Sequence, residues 1–269
     1  MITAPSPDEI PNIEFTFLVN DHPGSNVWSL ARSDDEKEVH DTWLMPDYGF
    51  WSWPEPKIGS LEEVREKIME KEEGVTWKDK DDRAVWRGTV HWNGELRGKL
   101  VKTAKGKDWS DVQELDWKKN ALNMEDFCKY KFLIYTEGVT YSGRLRYFQM
   151  CRSVIITPRI HWHQTTSPLI KSEGPDQNIV IVKDDWSDLE ETIQKLRENP
   201  LEAERIANNT VEIFRDYYFN PAREVCYWRK LFRAWAQVTP PVGDVPKGKR
   251  GTRWESFVLM NKLDWDRIA

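Results

Sequence analysis

Lys129 to Pro158 reads KYKFLIYTEGVTYSGRLRYFQMCRSVIITP, and the changes of period within it decide the fold class. The run KFLIY (131–135) is apolar and short enough for a buried strand, and Gly138 lies in the turn after it. An apolar stripe from Leu145 and Phe148 toward Cys151 follows at helical spacing, with Ser142 placed to cap it. SVIIT (153–157) then returns to strand character. Strand, turn, helix, strand is the unit of a parallel sheet, because parallel neighbours need a crossover between them.

The same alternation extends outward. Upstream, Ala84-Val85-Trp86 is a short strand ending at Arg87-Gly88, and Leu96, Leu100 and Val101 recur at helical spacing. Downstream, Ile179 to Val182 is a strand, and Ser187-Asp188-Leu189-Glu190 has the form of a capping box opening a helix with Leu189, Ile193 and Leu196 on one face. Pro200 and Pro221 each suit the first position of a further helix. Nearer the N-terminus, Glu14–Val19 (EFTFLV) reads as a strand running into the turn formers Asn20 to Gly24. Trp43–Gly59 has no clean period, and Ser60-Leu61-Glu62-Glu63 is a capping box for a helix to about Glu72. The charged stretch KEEGVTWKDKDDR (71–83) is the expected linker. The expected organisation is an N-terminal part over 1–83, an α/β lobe with a central parallel sheet over 84–238, and a tail over 239–269 that packs back toward the N-terminal part.

Composition narrows the function classes. With 269 residues and 39% hydrophobic content the chain can bury a sizeable core. Lys+Arg 39 against Asp+Glu 45 gives a net charge of -6, which offers no footprint for nucleic acid or an anionic membrane. No apolar run reaches the length of a membrane span, and the first residues lack the basic start and apolar stretch of a signal peptide. Cys128, Cys151 and Cys226 are an odd set without C-x-x-C spacing, so neither a zinc ribbon nor a complete disulfide framework is expected and the compartment is not legible from them. His161 and His163 share a strand face, but no third ligand accompanies them and no metal site is expected. The fifteen tryptophans suit a core and sugar stacking alike.

In a parallel sheet, ligands bind beyond the carboxyl ends of the strands, where helix N-termini present free N–H groups to phosphate. Ser142-Gly143-Arg144 occupies that position after KFLIY. Gly143 permits close backbone approach, and Arg144 offers a fork suited to two phosphate oxygens. A capping serine followed by a solvated arginine is the alternative reading.

The block 129–158, with its K-Y-K strand, glycine turn and Ser-x-Arg, resembles the signature of glycosyltransferase family 90, the family of Rumi-type protein O-glucosyltransferases and fungal capsule-associated transferases. Asp185 to Leu189, Ala203 to Ala207 and Cys226-Tyr227-Trp228 resemble its closing helices. Trp86-Arg87-Gly88 followed by Arg97 resembles its donor-side loop. Val19 to Pro23, with His40-Asp41, Pro46 and Phe50-Trp51, resembles its acceptor-side motifs. The resemblance covers roughly Phe15 to Val238.

The resemblance implies a GT-B arrangement of two Rossmann-like lobes, here with an incomplete or small N-terminal lobe. It implies an inverting transfer of glucose or xylose from a UDP-sugar to a protein or glycan hydroxyl, without an obligatory metal. Inversion needs a base for the acceptor proton and positive charge for the leaving diphosphate. The family's aspartate aligns with Asp21 as the base. Donor contacts fall on Arg87, Gly88, Arg97, Gly138, Ser142, Gly143 and Arg144, and acceptor-side contacts on Asp41 and Trp51. Family members work in the endoplasmic reticulum or Golgi lumen. Plainer readings stand beside these roles: Asp21 as a turn former, Arg87 in an internal ion pair, Arg97 as a solvated helix residue, Trp51 as loop packing. A member that binds a nucleotide or partner without chemistry is the alternative function.

Overall fold

A computed structural model of the chain describes residues 10–240 apart from 36–40, 54 and 56. The expected behaviour of the tail beyond 240, and His40, lie outside the described residues. The core is a five-stranded sheet built from β4 (Asp81–Gly88), β5 (Ser110–Glu114), β6 (Tyr130–Ile134), β7 (Val154–Thr157) and β9 (Val180–Ile181). Its order is β5-β4-β6-β7-β9 and every pairing is parallel. The chain is α/β, as the alternation predicts.

Period two along the strands divides the core. Ala84, Trp86, Phe132, Ile134, Val154 and Ile156 point to one face, where α2 (Gly94–Ala104), α4 (Leu189–Glu198) and the first half of α5 (Pro200–Ile213) supply Leu100, Ile193 and Ile206. Val85, Leu133, Tyr135 and Ile155 point to the other, against Val64 and Ile68 of α1 (Leu61–Glu72) and Leu145 and Phe148 of α3 (Arg144–Phe148). Burial on both faces is why these strands read as nearly continuous apolar runs.

The helix starts show which sequence signals hold. The Ser60 box closes: the Ser60 hydroxyl accepts the Glu63 N–H and the Glu63 carboxylate accepts the Ser60 N–H. Pro200 and Pro221 both stand at first helical positions, the latter opening α6 (Pro221–Val238). The Ser187 box does not form. α4 starts one residue later, and Glu190 is drawn instead to the Trp109 Nε1–H at 3.2 Å and Lys107 at 2.8 Å. Ser142 does not cap either: the residue before α3 is Gly143, and α3 is five residues long.

Residues 71–83 are packed rather than a linker. Trp77 is buried, and the buried Lys80 ammonium donates to Glu72 Oε1 and to the Cys128 carbonyl, each at 2.6 Å. The Glu72 carboxylate also pairs with Arg215 at 2.7 Å and so neutralises two cations inside the fold. Part of the charge in the stretch, Glu72 and Lys80, is thus engaged in internal pairing, while Lys78, Asp79 and Arg83 are exposed. Glu14–Val19 also departs from expectation. It meets β1 (Trp28–Ser29) at a single bridge, Phe17 to Trp28, and leaves Phe17 exposed, because no further neighbour completes a ladder.

The described N-terminal residues form two short ladders. β1 pairs in parallel with β3 (Trp43–Leu44), and β2 (Arg32–Ser33) pairs antiparallel with β8 (Trp162–His163) of the larger unit. Trp28, Leu30 and Met45 share a cluster with Leu231 and Trp235 of α6. Cys128 and Cys151 form a disulfide that the sequence reading, which expected no complete disulfide framework, did not name, while Cys226 is free and exposed. The bond joins the turn before β6 to the residues after α3, a proximity created by the strand-turn-helix path and invisible in the spacing. Among the described residues no helix is long and apolar enough to cross a membrane.

Candidate functional site

The strand order reverses between β4 and β6, and loops leaving two such strands diverge to open a crevice. Arg97, on α2, spans it. Its Nε donates to the Glu137 carbonyl beyond β6 at 3.0 Å and its Nη1 to the Thr89 carbonyl beyond β4 at 2.8 Å. It is buried, so the solvated-helix reading is wrong. Gly138 makes room for it: a Cβ there would lie 3.2 Å from Arg97 Nη2.

Arg144 stands next to Arg97. Its Nε is buried without a hydrogen-bond partner, and the guanidinium lies 5.8 Å from the Phe127 ring centroid. Burial first, and then the charge of Arg97, push its pKa down to about 10. Among the described residues no carboxylate lies within ion-pair distance of either guanidinium. Two neighbouring guanidinium groups, one buried and one half-buried, without a counter-ion among the described residues form a site suited to an anion. Tyr135, fully buried at the end of β6, fixes the loop by accepting the Ser142 N–H at 3.0 Å. A Cβ at Gly143 would meet Phe50 and Trp53 at an ordinary 3.7 Å, so packing does not demand glycine there.

Two predicted donor residues are committed elsewhere. Arg87 pairs with Asp111 at 2.8 Å and donates to the carbonyls of Asn120 and Trp86, so its fork is engaged within the protein, in an internal ion pair. Gly88 is dictated by packing, since a Cβ would lie 2.4 Å from the ring of Trp86, two residues back on the same face.

Asp21 is exposed in the turn after residue 19. Its charge adds, after burial and Asp47, to the raised pKa of Tyr141, the residue before Ser142. Asp41 accepts the Ser25 hydroxyl at 2.6 Å, and Thr42 donates to the Gly24 carbonyl at 2.6 Å, so the 41–42 segment braces the Asp21 turn. Trp51 is half-exposed, its Nε1–H held by Glu224 at 2.6 Å at the rim of a pocket of about 140 Å³. The geometry thus gathers Arg97, Gly138, Ser142 and Arg144 around the loop after β6, with Asp41 bracing the separate turn that carries Asp21 and with Arg87 and Trp51 in contacts of their own.

Sequence reasoning missed Glu137, Tyr141 and Asp47. Glu137 is buried at the end of β6 and accepts the N–H groups of His161 and Trp162 at 3.1 and 2.8 Å. Burial outweighs those bonds and raises its pKa to about 7. The Tyr141 hydroxyl donates to Asp47 Oδ2 at 2.8 Å; burial, and then the Asp47 charge, raise its pKa far above the ordinary value. The available signal was position, since Glu137 and Tyr141 fall inside the decisive block. Asp47, in a stretch without period, gave none.

The family model described as glycosyl transferase family 90 matches residues 2–262. The chain belongs to that family. Curated relatives of this family 90 chain include human protein O-glucosyltransferase 1, 24% identical over 85% of this chain and 63% of the relative. The O-glucosyltransferase rumi homolog of Aedes aegypti is 26% identical over 87% and 63%, and protein O-glucosyltransferase 2 of Danio rerio 26% over 87% and 49%. The chain therefore spans under two thirds of the length of these relatives. Among solved structures it is similar to Anabaena HepE in complex with UDP-glucose, with a TM-score of 0.40, 8% identity, and 75% and 59% of the two chains covered.

Proposed function

We propose that this chain transfers a sugar, glucose or xylose, from a UDP-sugar to a hydroxyl of a protein acceptor, with inversion, in a GT-B arrangement. The observation that carries the reading is the pair at the β4/β6 crevice, Arg97 buried and Arg144 half-buried with its Nε buried and unpartnered, neither with a carboxylate partner among the described residues. A leaving nucleoside diphosphate supplies the missing negative charge, and a guanidinium held in a desolvated site stabilises it without reorganising. Arg144 takes the diphosphate directly. Arg97, its hydrogen bonds already given to two carbonyls, contributes charge and fixes the loop. Asp21, across the loop, accepts the acceptor proton as oxygen attacks the anomeric carbon. The family names of the relatives, protein O-glucosyltransferases, support the choice of donor and of a protein acceptor. Because guanidinium charge supplies the neutralisation, turnover should persist in a chelator. The Cys128–Cys151 disulfide supports an oxidising compartment, in keeping with the lumenal location implied by the family resemblance.

The test is a screen of UDP-sugars with the purified chain, reading donor hydrolysis and transfer to folded acceptor domains. Transfer from UDP-glucose or UDP-xylose is the expected result. UDP binding without transfer to any acceptor would instead leave a nucleotide-binding module.

A further inference from the structure

The proposed base and the proposed donor loop belong to different parts of the chain, and inversion requires their separation to be fixed to within a fraction of an ångström. A continuous path of short contacts joins them. The Asp21 turn is held by Thr42 on the Gly24 carbonyl and Ser25 on Asp41. The β1–β3 ladder, extended by the Trp43 N–H to the Val27 carbonyl and the Met45 N–H to the Ser29 carbonyl, each at 3.0 Å, carries that constraint to residue 45. Two residues later stands Asp47. Its Oδ1 accepts the Gly49 N–H at 2.8 Å, so its carboxylate is oriented before it meets anything else. Its Oδ2 accepts the Tyr141 hydroxyl, and Tyr141 precedes the residue whose N–H is pinned by Tyr135.

We propose that the Tyr141–Asp47 hydrogen bond is a positioning strut that sets the distance between Asp21 and the loop bearing Ser142 and Arg144. The inference rests on the transferase reading for its kinetic consequence, but the strut itself is a property of the fold. Asp47 is a positioning residue through Tyr141, and neither need touch the donor. The bond is part-buried and made to a carboxylate, the strong class of hydrogen bond, and it joins segments 94 residues apart in sequence. Phe50 and Trp53, which follow Asp47, pack on the Gly143 side of the same loop, so the ring of Tyr141 is not the only thing holding it in place. Removing the hydroxyl alone should therefore loosen the register without unfolding the loop.

The experiment compares Tyr141→Phe, Asp47→Asn, Asp47→Ala and the double variant Tyr141→Phe/Asp47→Ala in the full chain. It reads UDP affinity, kcat and donor KM, and amide hydrogen exchange in segments 20–26 and 138–144. For Tyr141→Phe the strut predicts UDP affinity and donor KM within about twofold of wild type. It predicts a kcat lower on the order of 10- to 100-fold, the scale of a small misplacement, and faster exchange in both segments. Asp47→Asn, which keeps an acceptor oxygen, should retain more turnover than Asp47→Ala, and the double variant should be no worse than Asp47→Ala. Wild-type kcat and unchanged exchange in Tyr141→Phe would overturn the strut. So would a large loss in Asp47→Asn with none in Tyr141→Phe, which would make Asp47 itself the base. If the wild-type chain transfers no sugar, the transferase reading fails and exchange alone decides the strut: faster exchange at both segments in Tyr141→Phe sustains it, and unchanged exchange refutes it.

Discussion

Arg144 carries the donor side of the account, and its environment fixes what its loss should do. A half-buried guanidinium whose Nε is buried without a partner, and which has no counter-ion among the described residues, gains from a diphosphate, so Arg144→Ala should weaken UDP binding by about 1.5–3 kcal/mol, measured by titration calorimetry. Arg144→Lys should recover little, because an ammonium does not reproduce the two-pronged fork. Unchanged affinity in both would place the diphosphate elsewhere. Glu137 makes a prediction of opposite kind. Its folded pKa of about 7 lies above that of an unfolded glutamate, so the folded state holds the proton more tightly. The associated stability is present in full below the unfolded pKa and is lost as pH rises through 7. Thermal melts from pH 4 to 8 should show this decline, and Glu137→Gln, which cannot titrate, should flatten it. A parallel pH profile in the variant would mean that other groups set the dependence.

Elements carry the next scale, where the disulfide and β4 are the informative cases. Cys128–Cys151 closes a loop across β6 and α3, the two elements that aim the crevice loop. Reduction, or the double change to alanine, should lower stability by about 2–4 kcal/mol in denaturant melts. If reductant leaves the melts unchanged, the bond does not form in the protein. In β4, Gly88→Ala forces a Cβ into the Trp86 indole, a ring with no exposed surface to retreat into. It should therefore destabilise the sheet and lower soluble yield without any specific effect on UDP. These elements also show what the sequence could reveal. KFLIY and SVIIT were legible because strands buried on both faces leave nearly unbroken apolar runs. β5, SDVQE, was not, because it is an edge strand with its two last residues exposed. Capping was legible at Ser60, where nothing competes for Glu63. It misled at Ser187, where Trp109 and Lys107, distant in sequence, take Glu190.

For the whole molecule, the sheet and the block carrying its crevice loop were readable because their information is local: period, turn and cap. What joins the two parts of the chain was not. Lys80 with the Cys128 carbonyl, Tyr141 with Asp47 and Cys128 with Cys151 are pairings across tens of residues that spacing cannot encode, and the first of them turned an apparent linker into packed structure. Arg87 shows the same limit: the motif resemblance places it at the donor, and the ion pair it makes with Asp111 of the adjacent edge strand β5 is not legible from that motif. The central claim needs both halves of the reaction in one cleft, and Asp21→Asn addresses it most directly. UDP binding and transfer from the UDP-sugar should be measured on the same preparation. The account predicts UDP affinity near wild type with transfer lowered by about 10²–10⁴-fold, the range for losing a positioned proton acceptor. Full transferase turnover in Asp21→Asn would contradict it and return Asp21 to the role of a turn former.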